Sequence, residues 1–277
     1  MTQTTYAADC HAHIFGGPQY PFAADPAYLP DASQRGTVQG FLAVLDAHGF
    51  THGLVVQAQP YRFDNRAMLD GITASKGRLK GIALVPPSIA ERELQALADG
   101  GAIGIRFNTM TEGLREFLEP GADTLLARIR ELGWFLQVHC QLDELAAAAP
   151  LIRRSGVRLM VDHFGRPDVR RGLSQPGFAT LLELGREGQA VVKLSGPFRS
   201  SIEGPPYVDV DDYIAAAVEA FTLERCVFGS DWPFTRTDER IDYGPQAACL
   251  ARWFPDARDR RKLLWETPQR LFGFAGI

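Results

Sequence analysis

His11 and His13 stand two residues apart in the stretch YAADCHAHIFGG. On a strand, side chains at that spacing point the same way, because successive residues alternate faces. Such a pair can offer two nitrogen ligands to one metal ion or two hydrogen-bonding groups to one substrate, and the pair alone does not decide between them. Further polar residues end apolar runs elsewhere: Arg106 in GIRFN, His139 in WFLQVHC, Asp162 and His163 in RLMVDHF, and Ser230 and Asp231 in RCVFGSDW, while Arg199 follows VVKLSG. Gathered at one place, His11, His13, His139 and Asp231 make a set of three nitrogens and one oxygen. That set suits tetrahedral zinc, with Zn–N bonds of about 2.0–2.1 Å and a position left for water. Zinc can bring the pKa of bound water to about 7, which gives hydroxide at neutral pH.

The elements that must gather these residues follow from the apolar pattern. Eight short β-rich runs recur, at 6–15, 53–58, 81–85, 104–108, 134–140, 158–164, 191–196 and 225–232. Helical stretches such as VQGFLAVLDAHG, DNRAMLDGITASKG, TLLARIRELG, LDELAAAAPLIRRSG, FATLLELGREG and DDYIAAAVEAF lie between them, and ARDRRKLLWETPQRLFGF closes the chain. Asp64 is placed to cap the second helix, and Gly77 to end it. Strands alternating with helices imply a parallel sheet. Runs that are apolar throughout imply burial on both faces. Eight units in this length predict an α/β fold, one (β/α)8 barrel over residues 1–277, in which the strand ends share one mouth. No glycine-rich phosphate turn follows the first run, which weighs against an open dinucleotide-binding sheet. Two connections are long, FGGPQYPFAADPAYLPDASQRG after strand one and GPFRSSIEGPPYVDV after strand seven. Both fall on the mouth side, where Tyr20, Phe22, Tyr28 and Tyr207 give them aromatic surface. His48 and His52 flank a turn at the opposite end and read as structural.

Composition bounds the partners. The chain of 277 residues is 45% hydrophobic and 22% charged, with a formal net charge of -4, an ordinary globular balance. It has no basic stripe for nucleic acid or an anionic membrane, and no apolar run near the roughly 18 residues of a membrane span. Its N-terminus lacks the basic and apolar regions of a secretory leader. Cys10, Cys140, Cys226 and Cys249 are scattered without CxxC spacing, as reduced, packed thiols of a cytoplasmic protein would be.

DCHAHIFG, GIRFN, VDHFGRPD, VKLSGPFR, FGSDWPF and ETPQRLFGF, in this order and spacing, resemble the amidohydrolase superfamily. Within it, the chain resembles the branch of 2-pyrone-4,6-dicarboxylate lactonases and sugar-acid lactone hydrolases, over nearly its whole length. The resemblance implies roles. His11 and His13 match the first-strand ligand pair, and His139 a fifth-strand ligand of mononuclear members. His163 matches a histidine that contacts the substrate carbonyl or the attacking water, and Asp231 the general base. Arg106 and Arg199 match positions that grip substrate carboxylates, and Tyr28 a loop aromatic that touches substrate. Two positions depart from the pyrone lactonases. They carry tyrosine where His139 stands and work without a divalent metal, and they carry a basic residue where Glu112 stands. The implied function is hydrolysis of a small anionic lactone of pyrone-dicarboxylate, muconolactone or aldarolactone type, with isomerisation or metal-dependent decarboxylation as alternatives. One divalent ion, zinc first, or no metal at all, and a monomer or homodimer, both stay open.

Overall fold

The computed structural model describes residues 6–276, so residues 1–5, on which the leader-free reading rests, lie outside the described residues. All eight expected strands form: β1 (Ala8–Ala12), β2 (His52–Val56), β3 (Leu79–Ala83), β4 (Ala102–Asn108), β5 (Phe135–His139), β6 (Arg158–Val161), β7 (Ala190–Ser195) and β8 (Cys226–Gly229). They pair in parallel in sequence order. An Ala12–Trp232 bridge brings β1 back to the chain just beyond β8, which makes the sheet a nearly closed (β/α)8 barrel.

A helix follows each strand: α1 (Val38–Ala47), α2 (Arg66–Ala74), α3 (Glu91–Asp99), α4 (Ala122–Glu131), α5 (Glu144–Ser155), α6 (Pro176–Glu187), α7 (Asp211–Phe221) and α8 (Tyr243–Trp253). Two single-turn helices, Thr109–Glu112 and Arg115–Leu118, precede α4. Local chemistry sets several ends. The Thr37 hydroxyl accepts the Gly40 amide at the start of α1, and Gly156 and Gly188 take left-handed conformations just past α5 and α6, a backbone region that strains residues with a Cβ. Asp64 does accept an amide, that of Arg66, although the capping position itself is Asn65. The helix ends at Ala74, before Gly77, because Lys76 already leaves helical backbone.

Two apolar layers hold this frame. Outside the barrel, Phe41, Leu45, Val55, Ile105, Phe107, Val192 and Phe221 pack strands against helices. Inside its lower half, Ala8, Cys10, Leu54, Val56, Ile82, Phe135, Met160, Val191 and Val227 meet, and Trp265, Phe272 and Phe274 of the closing segment seal the bottom. Each fully buried large side chain contributes about 1.5–3 kcal/mol. The four cysteines are buried and unpaired. His48 packs in a tilted arrangement against Tyr243, and His52 against Trp265 and Phe274, a structural placement away from the mouth. Among the described residues no helix is long and apolar enough to cross a membrane.

Of the two long loops, the first folds its Tyr20 and Phe22 over Phe15, Ala58 and Tyr61 beside the β2 end. In the second, Tyr207 is fully buried and its hydroxyl accepts from Gln246 Nε2 at 3.0 Å. It is therefore core rather than the aromatic surface expected of it, because the loop tucks under α8.

Candidate active site

The upper interior of the barrel is polar, and a local irregularity creates it. Between Asp9 and Ala12, β1 advances three residues while β2 advances two. This one-residue bulge lets both Cys10 and His11 face inward, where strict alternation would turn one of them out. Asp9 faces outward and fastens the bulge. Its Oδ1 accepts the amides of His11 (3.2 Å) and Ser230 (2.9 Å), and its Oδ2 accepts the Tyr243 hydroxyl at 3.1 Å. A second bulge between Ala102 and Ile105 adds a residue to β4, below Arg106 and Asn108.

The seam of the barrel assembles the first functional cluster. The Asp231 amide donates to His11 O at 2.8 Å and the His13 amide to Trp232 O at 2.7 Å. Gly229 is obligatory here, since a Cβ would lie 2.6 Å from His11 Cβ. Asp231 then takes a positive φ of 64°, a costly conformation for a residue with a Cβ, and its carboxylate meets the two imidazoles. His11 Nε2 and His13 Nε2 are 3.4 Å apart, and Asp231 Oδ1 is 3.6 and 3.7 Å from them. His163, also at positive φ (50°), places Nδ1 2.8 Å from Ser195 Oγ and Nε2 3.9 Å from Asp231 Oδ2.

Burial keeps these imidazoles neutral. It pushes His13 down to about 4 although Asp231 opposes the shift. It holds His11, His139 and His163 well below the ordinary histidine range, helped by Lys193 at His11, Arg106 at His139 and His11 at His163. Burial alone would raise the Asp162 carboxyl, but Lys193 and Arg106 override it and hold the group at about 2.

The donor set admits a metal ion. Ligand atoms about 2.0–2.1 Å from a tetrahedral zinc lie about 3.4 Å apart, close to the edges of the triangle formed by His11, His13 and Asp231. His13 donates Nδ1–H to Val56 O at 2.8 Å, since a carbonyl only accepts, so its Nε2 presents a lone pair to the triangle. His139 is not part of that triangle, nor of the cluster His11, Asp162 and His163. It stands in the cavity wall with both ring nitrogens buried and without a hydrogen-bond partner. The expected four-donor set is thus drawn together at three positions, with the fourth donor, His139, beside it.

Arg106, Arg199 and Tyr28 all line the cavity, but each already has a partner in the protein. Arg106 Nη2 is 3.1 Å from Asp162 Oδ2, and its Nε is buried without a partner. Arg199 donates to Asp231 and, from Nη2, to Thr235 O at 2.9 Å. The Tyr28 hydroxyl lies 3.2 Å from Thr235 Oγ1. Glu112 turns aside to pair with Arg115 at 3.0 Å.

Residues that the pattern of strand ends did not single out complete the site. Lys193 and Gln137 lie beneath His11, with Lys193 Nζ 2.7 Å from Gln137 Oε1. The legible signal is an amide and an ammonium in the middle of the apolar runs WFLQVHC and VVKLSG. Arg166, from GRPD, lines the cavity, with no carboxylate partner among the described residues and with Nε buried and unbonded. Burial and the nearby Arg199 push it down to about 10. Partly exposed at the cavity wall, the guanidinium has no counterion among the described residues and is open to an anion there.

Comparisons with known proteins agree with this picture. Residues 8–274 match the family model described as Amidohydrolase. A 2-pyrone-4,6-dicarboxylate hydrolase of Comamonas testosteroni is 34% identical, covering 96% of this chain and 90% of that protein. A 4-sulfomuconolactone hydrolase of Rhizobium radiobacter is 30% identical over the same shares. The probable 2-pyrone-4,6-dicarboxylic acid hydrolase of Acinetobacter baumannii, solved with citric acid bound, superposes with a TM-score of 0.88 at 30% identity, covering 97% of this chain and 99% of that one.

Proposed function

The chain belongs to the amidohydrolase family, and from that premise we propose that it opens a small lactone bearing an acid group at the barrel mouth. Relatives named as hydrolases of acidic lactones, matched over nearly the whole chain, support this reading. The observation that carries it is the pairing of a general base with an anion receptor. Asp231 Oδ1 faces the cavity between neutral imidazoles, and Arg166 waits there without a counterion.

In this mechanism the acid group of the substrate pairs with Arg166 and with the unbonded Nε edge of Arg106, in the forked geometry that guanidinium offers a carboxylate. Asp231 Oδ1 removes a proton from water as the water oxygen bonds to the lactone carbonyl carbon. Ser195, donating to His163 Nδ1, leaves the imidazole proton on Nε2, which donates to the developing oxyanion. Collapse breaks the ring C–O bond, and the proton held on Asp231 passes to the departing oxygen. The general base supplies about 10²–10⁴-fold.

A divalent ion, zinc first, would be held by His11, His13 and Asp231, with His139 as a further donor at the cavity wall. Bound there, it supplies acidified water at neutral pH. We place the protein in the cytoplasm, where unpaired thiols such as its four cysteines persist.

The test is a panel of acidic five- and six-membered lactones assayed by proton release, with elemental analysis of the purified chain. Hydrolysis releases one proton per turnover, whereas moving the acyl link between hydroxyls releases none. Failure to open any acidic lactone, with or without added zinc, would sink the reading.

A further inference from the structure

Beneath the triangle, the hydrogen-bond directions around His11 are set from both ends. Val56 O can only accept, so His13 carries its proton on Nδ1 and has a lone pair at Nε2. The 3.4 Å contact between the two Nε2 atoms is then a hydrogen bond only if His11 donates. From the other side, the Lys193 ammonium can only donate, and Nζ lies 3.3 Å from His11 Nδ1 in hydrogen-bonding geometry. Both constraints put the single proton of His11 on Nε2. A chain runs without conflict from Lys193 through His11 and His13 to Val56 O. Two acceptors take ammonium protons, Gln137 Oε1 at 2.7 Å and His11 Nδ1 at 3.3 Å, while Asp162 Oδ1 lies 3.4 Å from Nζ outside hydrogen-bonding geometry.

One atom is left over. Asp162 Oδ1 is buried without a hydrogen bond, yet it lies 3.2 Å from the same His11 Nδ1. Its sister oxygen is satisfied by Gln137 Nε2 at 2.9 Å and Arg106 Nη2 at 3.1 Å. The stranded oxygen is placed to accept an Nδ1–H that His11 does not have while Lys193 donates to that nitrogen.

We propose that Lys193 and Asp162 are opposed positioning residues that compete for His11 Nδ1 and so select its tautomer. With Lys193 donating, His11 carries Nε2–H and closes a metal-free bridge to His13. With Asp162 accepting, the proton sits on Nδ1, and Nε2 offers a lone pair to a divalent ion beside His13 and Asp231. The imidazole is neutral in both arrangements, and only the position of its proton differs. One histidine pair thereby serves a metal-free and a metal-loaded site. The inference rests on His11, His13 and Asp231 as the ligand set and is independent of the identity of the substrate.

The test is two-bond 1H–15N correlation NMR of the histidine side chains, which reports which ring nitrogen is protonated. The chain has six histidines, and a His11→Gln variant assigns the His11 signals. The metal-free protein should show His11 protonated on Nε2, and one equivalent of zinc should move that proton to Nδ1. Lys193→Met should give the Nδ1–H form before any metal is added. Should that variant fail to fold, Asp162→Asn should keep the Nε2–H form and weaken zinc binding about 10–100-fold in a chelator competition. A metal-free wild type protonated on Nδ1, an unchanged tautomer in Lys193→Met, unchanged zinc affinity in Asp162→Asn, or no zinc binding at millimolar concentration would each overturn the proposal. None of these readouts uses a lactone, so failure of the lactone assay leaves them intact, and their failure leaves that assay untouched.

Discussion

Arg199 directs both Nε and Nη2 onto a single oxygen of Asp231, Oδ2, each at 2.7 Å. The other oxygen, Oδ1, is thereby turned towards His11 and His13. The pair assigns the two carboxylate oxygens different work, one anchored and one facing the reaction. Asp231→Asn keeps the shape and loses the base. It should fold, with a thermal midpoint lowered by loss of the Arg199 counterion, and lose about 10²–10⁴ in kcat. Turnover near wild type would remove Asp231 from the mechanism.

Arg166 is a cavity guanidinium with no carboxylate partner among the described residues, so Arg166→Met should act on substrate recognition. Steady-state kinetics on an acidic lactone should show kcat/KM lower by tenfold or more, about 1.4 kcal/mol or above. The corresponding methyl ester should respond much less. An equal loss on acid and ester would mean that Arg166 does not read the acid group.

Glu116 gives a pH signature away from the triangle. Burial pushes its carboxyl up to about 7, although it accepts the Asn108 amide at 2.5 Å and so is partly relieved. The folded chain therefore holds this proton more tightly than the unfolded chain. The associated stability is complete below the ordinary glutamate value and is lost as pH rises from about 4.5 to about 7. Glu116→Gln keeps an acceptor and cannot ionise. Urea unfolding at pH 5 and pH 8 should show wild type losing more stability than the variant, on the order of 3 kcal/mol. Parallel pH dependence in the two proteins would contradict this.

Gly229→Ala tests the seam. The new methyl would sit 2.6 Å from His11 Cβ and 2.9 Å from His11 N, and backbone cannot yield as a flexible side-chain tip can. Overpacking of this kind costs about 1–3 kcal/mol, visible as a lower urea midpoint. Activity should fall as well, because the displaced strand carries His11. A variant as stable and as active as wild type would show that β1 and β8 part easily.

Much of this was legible in the residues themselves. The eight apolar runs became the eight strands, since continuous Val, Ile, Leu and Phe suit strands buried on both faces. His11 and His13 share a face as their spacing requires, because the strand alternates again from His11 onwards. The bulge itself was not legible. It depends on the reach of Asp9 to Ser230 and Tyr243, contacts made across the whole chain. The carboxylate partners of Arg106 and Arg199 were hidden for the same reason: strand register, not local spacing, puts Asp162 and Asp231 beside them. Helices α3 and α8 carried weaker local signals than their neighbours. The start of α3 is fixed by Glu93 accepting the Ala90 amide at 3.1 Å, half of a capping box that has Ala90 where a serine or threonine usually stands.

The seam has a consequence for how the protein comes into being. Asp9 and Ser230, whose hydrogen bond locks the bulge, are 221 positions apart, and the two histidines meet their aspartate across the same gap. Contacts of such sequence separation form late, after the entropy of closing the intervening loop has been met. On the ribosome, the first strand therefore emerges long before its partner exists, and the half-made barrel carries imidazoles with no carboxylate to face. Catalytic competence arrives only with the final eighth of the fold, so recovery of activity during refolding times the closing of the ring.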